Sequence, residues 1–302
     1  MLNILIALIS FVVLLKSADI FVDQSVALAK KIKISSFLIG FTLIALGTSL
    51  PDLVISTYST ISGHPEVAIS TFLGSALVNI SLLLGILALF TKYKLVDIDI
   101  QKNIPITLIL IGLFAGGLAI FNFQMTWIIG ICCVILLLLS IYFATKNNHT
   151  IIVKGSVKFN ALFLLFSFVL LILTGKLCVD NILVVASSYN IAETTIGYFI
   201  LAIGISIPEL VTSLAVIRKG NLQLSMGNIL GATLINILLI SSISSFVRTL
   251  DLRDFAIEII FLVFAIVIFY VFALLGRKRL ISKWEGVGLI LVYIIFILLQ
   301  TF

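Results

Sequence analysis

Two proline–acid dipeptides, Pro51-Asp52 and Pro208-Glu209, lie within long apolar runs of this chain. An unpaired ionised carboxylate near the middle of a bilayer costs about 2.5–3.5 kcal/mol on insertion scales. Neither acid has a basic residue beside it within its run, so the two require a shared cation or a proton. Proline lacks a backbone N–H and clashes with the preceding turn, so each helix is expected to break there. Gly47 and Gly204, four residues earlier, ease that break. The carbonyls ending each first half-helix, such as those of Ala45 and Ala202, are expected to be released as oxygen ligands. Thr48, Ser49 and Ser206 add hydroxyls close by.

A second wall is expected from the runs that follow, where Ser75, Asn79 and Asn236 lie on a Gly-x-x-x-x-Asn pattern. Residues four apart share a helix face, which lets Ser75 and Asn79 look into one cavity. The set comprises carboxylates, carbonyls, hydroxyls and amides, with no histidine or cysteine. Such an all-oxygen set suits a hard cation, Ca²⁺ or Na⁺, rather than zinc or copper. No bound cofactor is expected; the ions are cargo.

The elements that hold these residues must be membrane helices. The chain has 302 residues, of which 62% are hydrophobic and only 11% charged, against about a quarter charged in a soluble globular domain. With a mean hydropathy of +1.32, its main solvent is lipid. A span needs about 20 apolar residues. Ten are read at approximately 3–28, 34–60, 66–90, 103–121, 126–145, 160–186, 192–217, 223–246, 254–275 and 284–301. The runs do not alternate as barrel strands do. The expected fold is an all-α polytopic membrane protein, with spans 2, 3, 7 and 8 broken around a midplane cation site.

Fifteen of the nineteen Lys and Arg residues fall in loops on one side, against Arg248 and Arg253 on the other. The positive-inside rule then puts both termini outside the cytoplasm, in a multi-pass protein of the cell membrane. A net charge of +6 obtained this way reflects topology rather than nucleic-acid binding. No obligate protein partner is evident from the sequence. Cys132, Cys133 and Cys178 lie inside apolar runs and suggest no disulfide framework. Gly112-x-x-x-Gly116 and Gly227-x-x-x-Gly231 read as helix-packing motifs. Asp23 and Asp180, near span ends, suggest a structural or gating part.

The chain is also written twice. At an offset of 157 residues, IGFTLIALGTSLPDLVIS from Ile39 lies over IGYFILAIGISIPELVTS from Ile196, with nine of 18 positions identical. LGSALVNI from Leu73 lies over LGATLINI from Leu230 at the same offset. The expected organisation is a first five-helix repeat over 1–145, with its motif at 39–84, and a cytoplasmic linker at 146–159. A second repeat follows over 160–302, with its motif at 196–241. An odd number of spans per copy inverts the second relative to the first, as in transporters that expose one central site alternately.

At these residues the sequence resembles the cation/calcium antiporter superfamily, in particular the prokaryotic sodium/calcium exchangers. GTSLPD (Gly47 to Asp52) and GSALVN (Gly74 to Asn79) form one motif pair. GISIPE (Gly204 to Glu209) and GATLIN (Gly231 to Asn236) form the other. The resemblance implies an antiporter, not an enzyme, in which Asp52 and Glu209 share one Ca²⁺ with oxygens of Thr48, Ala45 and Ala202. It implies Na⁺ at overlapping positions built from the same acids plus Ser49, Ser206 and Ser75. It also implies that the first and sixth helices slide against the other eight. Ile205 and Ala232 replace hydroxyl residues of the family pattern, Asp52 replaces a glutamate, and Asn236 replaces an acid common among prokaryotic members. These departures raise a proton as the alternative counter-ion; a passive cation channel is the reading from another class.

Overall fold

The computed structural model describes residues 2–31, 45–90, 93–94, 103–145, 159–189, 191–218, 222–275 and 280–301. Within them the chain is an all-α, multi-pass membrane protein. Straight helices are α1 (Leu2–Lys31), α4 (Ile104–Ile120), α5 (Trp127–Thr145), α6 (Ala161–Tyr189), α9 (Ala256–Leu275) and α10 (Lys283–Thr301). The remaining four spans are interrupted. α2 consists of Ala45–Thr48 and Leu50–Ile61, and α3 of Pro65–Leu77, a π-turn at Val78–Leu83, and Leu84–Phe90. α7 runs through Glu193–Thr195, a π-turn at Ile196–Leu201, Ala202–Ile205 and Ile207–Arg218. α8 comprises Leu222–Leu234, a π-turn at Ile235–Ile240, and Ser241–Val247.

Six helices among the described residues are long and apolar enough to cross a membrane, and three more are apolar but shorter. The broken spans 2, 3, 7 and 8 agree with the sequence expectation. Most of the loops that carry the charge asymmetry, the start of the second span and nearly all of the linker lie outside the described residues.

The interruptions recur at the same 157-residue offset as the sequence motifs. Ser49 and Ser206 both break their helices, and Val78–Leu83 and Ile235–Ile240 are both π-turns. Two short antiparallel ribbons follow the same symmetry. β1 (Tyr93–Lys94) pairs with β4 (Leu280–Ile281), and β2 (Gln124–Met125) pairs with β3 (Leu250–Asp251). Each ribbon joins one strand from each half, at opposite ends of the bundle. Exchange of the halves converts one ribbon into the other, as an axis in the membrane plane requires. Gly85 of α3 meets Gly286 of α10 backbone to backbone, and Ser242 of α8 donates to the Gly130 carbonyl of α5 at 2.9 Å. These cross-half contacts are also counterparts.

Apolar burial divides the bundle in two. The larger cluster takes its buried residues from α2–α5 and α7–α10, with none from α1 or α6 among the described residues. A second cluster is built on Leu14 and Ala18 of α1 and on Leu171, Cys178 and Ile182 of α6, with Ile55, Val67 and Ile205 facing it. The α1–α6 pair therefore has its own packing, joined to the rest along one side. The three cysteines are free.

Small residues set the central contacts, but not all those expected. Gly112 and Gly116 are exposed, and a Cβ on either would meet nothing within 4 Å. This corrects their reading as a packing motif: their side of α4 faces outward. By contrast, a Cβ at Gly197 would stand 2.6 Å from Ser70 Cβ, and one at Gly74 would stand 2.9 Å from Ala202 Cβ. α3 and α7 approach each other through these glycines. Gly197→Ala is expected to cost about 1–3 kcal/mol through overpacking and to lower the thermal unfolding midpoint in detergent. Gly112→Ala should leave that midpoint unchanged, and equal midpoints for the two variants would contradict the assigned contact.

Candidate cation site

The two acids occupy equivalent places. Ser49 (φ −87°, ψ 3°) and Ser206 (φ −77°, ψ −3°) depart from helical geometry, and a new helical segment begins directly after each. Asp52 and Glu209 are the third residues of those segments, Leu50–Ile61 and Ile207–Arg218. Unbonded N–H groups in a first helical turn favour negative charge there. Each acid is about 1% exposed. They are close enough for their charges to interact, and no cationic side chain is paired with either among the described residues.

The carbonyl expectation needs correction. Ala45 O accepts the Ser49 N–H at 3.1 Å and the Thr48 hydroxyl at 3.2 Å, and Ala202 O accepts the Ser206 N–H at 3.2 Å. Neither carbonyl is released, because the helices bend at the serines without losing those turns. The N–H groups missing at Pro51 and Pro208 would have met the carbonyls of Gly47 and Gly204 instead. A carbonyl has two acceptor positions, so Ala202 O retains one beyond its backbone bond.

Side chains from the two halves alternate around the acids. Ser75 Oγ donates to Asp52 Oδ1 at 2.7 Å. The Asn236 amide stands beside Asp52 and Thr48 beside Glu209, so each acid has a neighbour from the opposite half. Asn79 and Asn236 sit in the two π-turns, each almost fully buried. A π-turn inserts one residue and swings the chain that follows, a device frequent at functional sites.

Fifteen buried side-chain polar atoms lack a hydrogen-bond partner among the described residues. Eight of them belong to Ser49, Asp52, Asn79, Ser206, Glu209 and Asn236. Buried polar atoms are ordinarily paired, so this concentration makes these six residues the candidate site. Seven of the eight are oxygens, the chemistry of a hard cation. No group of three His, Cys, Asp or Glu side chains able to hold a metal is found among the described residues. Ile205 and Ala232, the counterparts of Thr48 and Ser75, are buried and bring no oxygen.

Other acids fall elsewhere. Asp180 of α6 accepts the Tyr58 hydroxyl of α2 at 3.0 Å, tying the α1–α6 pair to the larger body, whereas Asp23 is exposed. His64 lies 2.7 Å from Glu193, joining the α2–α3 turn to the start of α7. Sequence reasoning passed over Glu258 of α9, which is 2% exposed, and the Ser213–Asn228 contact at 3.4 Å between α7 and α8. Ser213 and Asn228 are the counterparts of Ser56 and Thr71, so polarity at repeated positions could have found them. Glu258 has no such signal.

Comparison with known proteins places this geometry in a wider group. The sodium/calcium exchanger protein family matches residues 2–146 and 159–302. An uncharacterized membrane protein of Methanocaldococcus jannaschii is 29% identical over 95% of this chain and 94% of its own length. The sodium/calcium exchanger MaX1 of Methanosarcina acetivorans is 24% identical, covering 98% of this chain and 97% of its own. Among solved structures, the sodium-calcium exchanger NCX_Mj soaked with 2.5 mM Na⁺ and 0.1 mM Ca²⁺ superposes with a TM-score of 0.68. It shows 30% identity and 98% coverage of both chains. The same exchanger soaked without Na⁺ and Ca²⁺ gives 0.66 and 31%. The match runs through both halves and both motif pairs: this chain belongs to the sodium/calcium exchanger protein family.

Proposed function

We propose that this chain is a secondary active antiporter of the cell membrane that exchanges Ca²⁺ for Na⁺ by alternating access. The observation that carries the reading is the pair of buried acids, Asp52 and Glu209, one from each inverted half. They are close enough for their charges to interact, have no basic partner among the described residues, and share their surroundings with oxygens that also lack partners. Family membership supports the same assignment.

In this reading one Ca²⁺ is held by the carboxylates of Asp52 and Glu209, the Thr48 hydroxyl and the carbonyls of Ala45 and Ala202. Ala202 uses its remaining acceptor position. Ala45, which already accepts two bonds, contributes when Thr48 turns its hydroxyl oxygen to the ion. Na⁺ competes for overlapping positions formed by the same acids with Ser49, Ser206 and Ser75, while the amides of Asn79 and Asn236 complete the wall. Either cargo offsets the charge of the acids. A site without cargo leaves two like charges in a low-dielectric setting, which opposes the passage of that site between the two sides. The separate packing of α1 and α6 supports their movement against the other eight helices, with Tyr58–Asp180 as one contact that the motion remakes.

The direct test is ⁴⁵Ca²⁺ uptake into proteoliposomes against its own gradient, driven by an outward Na⁺ gradient at clamped pH. Sodium-driven uptake is expected. Uptake that ignores Na⁺ and follows a pH gradient would assign the proton as counter-ion, and only downhill flux would make the protein a channel. Asp52→Asn and Glu209→Gln should each abolish uptake while the protein still folds, because a neutral isostere removes the burial cost. Loss of one acid is expected to cost about 2–5 kcal/mol of ion binding, or about 30-fold or more in affinity. Normal exchange by either variant would remove that acid from the site.

The missing hydroxyls give a second test. Ile205→Thr combined with Ala232→Ser should lower the Na⁺ concentration needed for half-maximal exchange, and an unchanged sodium response would reject a role for those positions. Orientation is tested by reporter fusions: both termini are expected outside the cytoplasm, and a cytoplasmic signal from either end would reverse the assignment.

A further inference from the structure

Glu258 lies in the first turn of α9, at the end of the bundle that carries both termini, well separated in sequence from the cation site. It is 2% exposed. The Tyr198 hydroxyl donates to its Oε1 at 2.7 Å, and Gln300 Nε2 donates to the same Oε1 at 2.6 Å. Oε2 is buried without a hydrogen-bond partner.

Two donors on one oxygen and none on the other is the pattern of a carboxylic acid. A carbonyl oxygen has two lone pairs, and Tyr198 and Gln300 fill both. An ionised group would carry half its charge on Oε2, which is buried with no hydrogen-bond partner among the described residues. A bare hydroxyl there is far less costly than a bare anion.

Among the described residues no cation is paired with the group. α9 packs against α3, α4 and α10 and meets α7 through Tyr198. Of the described charged side chains these elements carry, Glu66 of α3 is exposed, Glu193 of α7 is held by His64, and Glu209 of α7 belongs to the cation site. α4 has none. Lys283 and Glu285 stand at the far end of α10, and Tyr293 donates to the Tyr198 carbonyl at 3.4 Å. Beside α9 itself, Asp254 is exposed and Arg253 is paired with Asp251 at 2.5 Å. Tyr270 is more than three turns away along α9.

We propose that Glu258 is a second ion-binding position of this protein, one that takes a proton. The bound proton holds α7 in the packing that the cation site needs. Tyr198 lies in the π-turn Ile196–Leu201, directly before Ala202. Its ring sits edge-on to Phe296 at 5.3 Å, and its Cδ1 would be 3.0 Å from a Cβ at Gly74. Gly74 precedes Ser75, the donor to Asp52. Release of the proton to water leaves a carboxylate in an apolar pocket, and the Tyr198 and Gln300 contacts then have to open towards water to accommodate it. Tyr198 moves with them, and with it the turn before Ala202. Exchange is therefore governed by pH on the face that carries the termini, independently of which ion is exchanged at Asp52 and Glu209.

Infrared spectroscopy of the whole protein in lipid, at neutral pH with saturating Ca²⁺, tests the proton directly. The C=O stretch of a neutral carboxylic acid is expected in the wild type, absent in Glu258→Gln and shifted in Tyr198→Phe. The same carboxyl band in wild type and Glu258→Gln would overturn the proposal. If Glu258→Gln does not assemble, Tyr198→Phe decides: an unshifted band overturns it. In proteoliposomes, alkalinisation of the termini face is expected to slow wild-type exchange by about tenfold per pH unit beyond the midpoint, the behaviour of one proton. Glu258→Gln should be flat over that range, and a wild-type pH profile in this variant would also overturn the proposal. The difference between the wild-type and Glu258→Gln carboxyl bands reads Glu258 alone, so it stands or falls separately from the proposed Na⁺/Ca²⁺ exchange.

Discussion

Two buried acids, one from each half and without a paired cation among the described residues, form the constraint around which this molecule is organised. At low dielectric, charge on Asp52 and Glu209 is costly for each acid singly and worse for both together. Among the described residues, the surrounding architecture does not relieve that cost with a lysine or arginine. It supplies neutral oxygens instead: a serine hydroxyl on Asp52, a threonine beside Glu209, and two asparagine amides in π-turns. A permanent salt bridge would lock such a site. Neutral groups would leave its charge to be balanced by something that can arrive and leave, so in the proposed antiporter the cost of burial is also what makes the site responsive to its cargo.

The duplicated fold places one acid from each half at equivalent positions, the third residue of a helical segment. Helix breaks at Ser49 and Ser206 and π-turns at Asn79 and Asn236 recur at one spacing, so the two halves approach the site as images of each other. The ribbons β1–β4 and β2–β3 join the halves at opposite ends. α1 and α6 stand apart from this arrangement, with their own apolar cluster and a hydrogen bond from Tyr58 to Asp180 as a link to the larger body. A separately packed helix pair is a construction in which, in the proposed mechanism, one part moves while the residues around Asp52 and Glu209 keep their places.

Much of this was legible before any coordinates. The proline–acid dipeptides announced broken helices because proline has a fixed backbone consequence, and the 157-residue offset exposed the inversion because each copy holds an odd number of spans. Other features had no local signature. π-turns at Asn79 and Asn236 depend on tertiary fit, so nothing in the composition of these segments marks them. Ala45 and Ala202 keep their backbone bonds because the chain bends at the serines instead of unwinding, a choice that proline alone does not determine. Gly112 and Gly116 carry the spacing of a packing motif, yet spacing does not say whether a helix face meets protein or lipid. Glu258 was hidden because its partners are 60 and 42 residues distant and it stands near a span end, where a carboxylate reads as solvated.

The central claim is that Asp52 and Glu209 bind one ion between them. An experimental structure determined with saturating Ca²⁺, or with Sr²⁺ as a denser stand-in, tests it most directly. A single cation is predicted in contact with both carboxylates, at about 2.3–2.6 Å for Ca²⁺. Carboxylates bonded to each other through a proton, with the cation elsewhere or absent at saturation, would contradict the account.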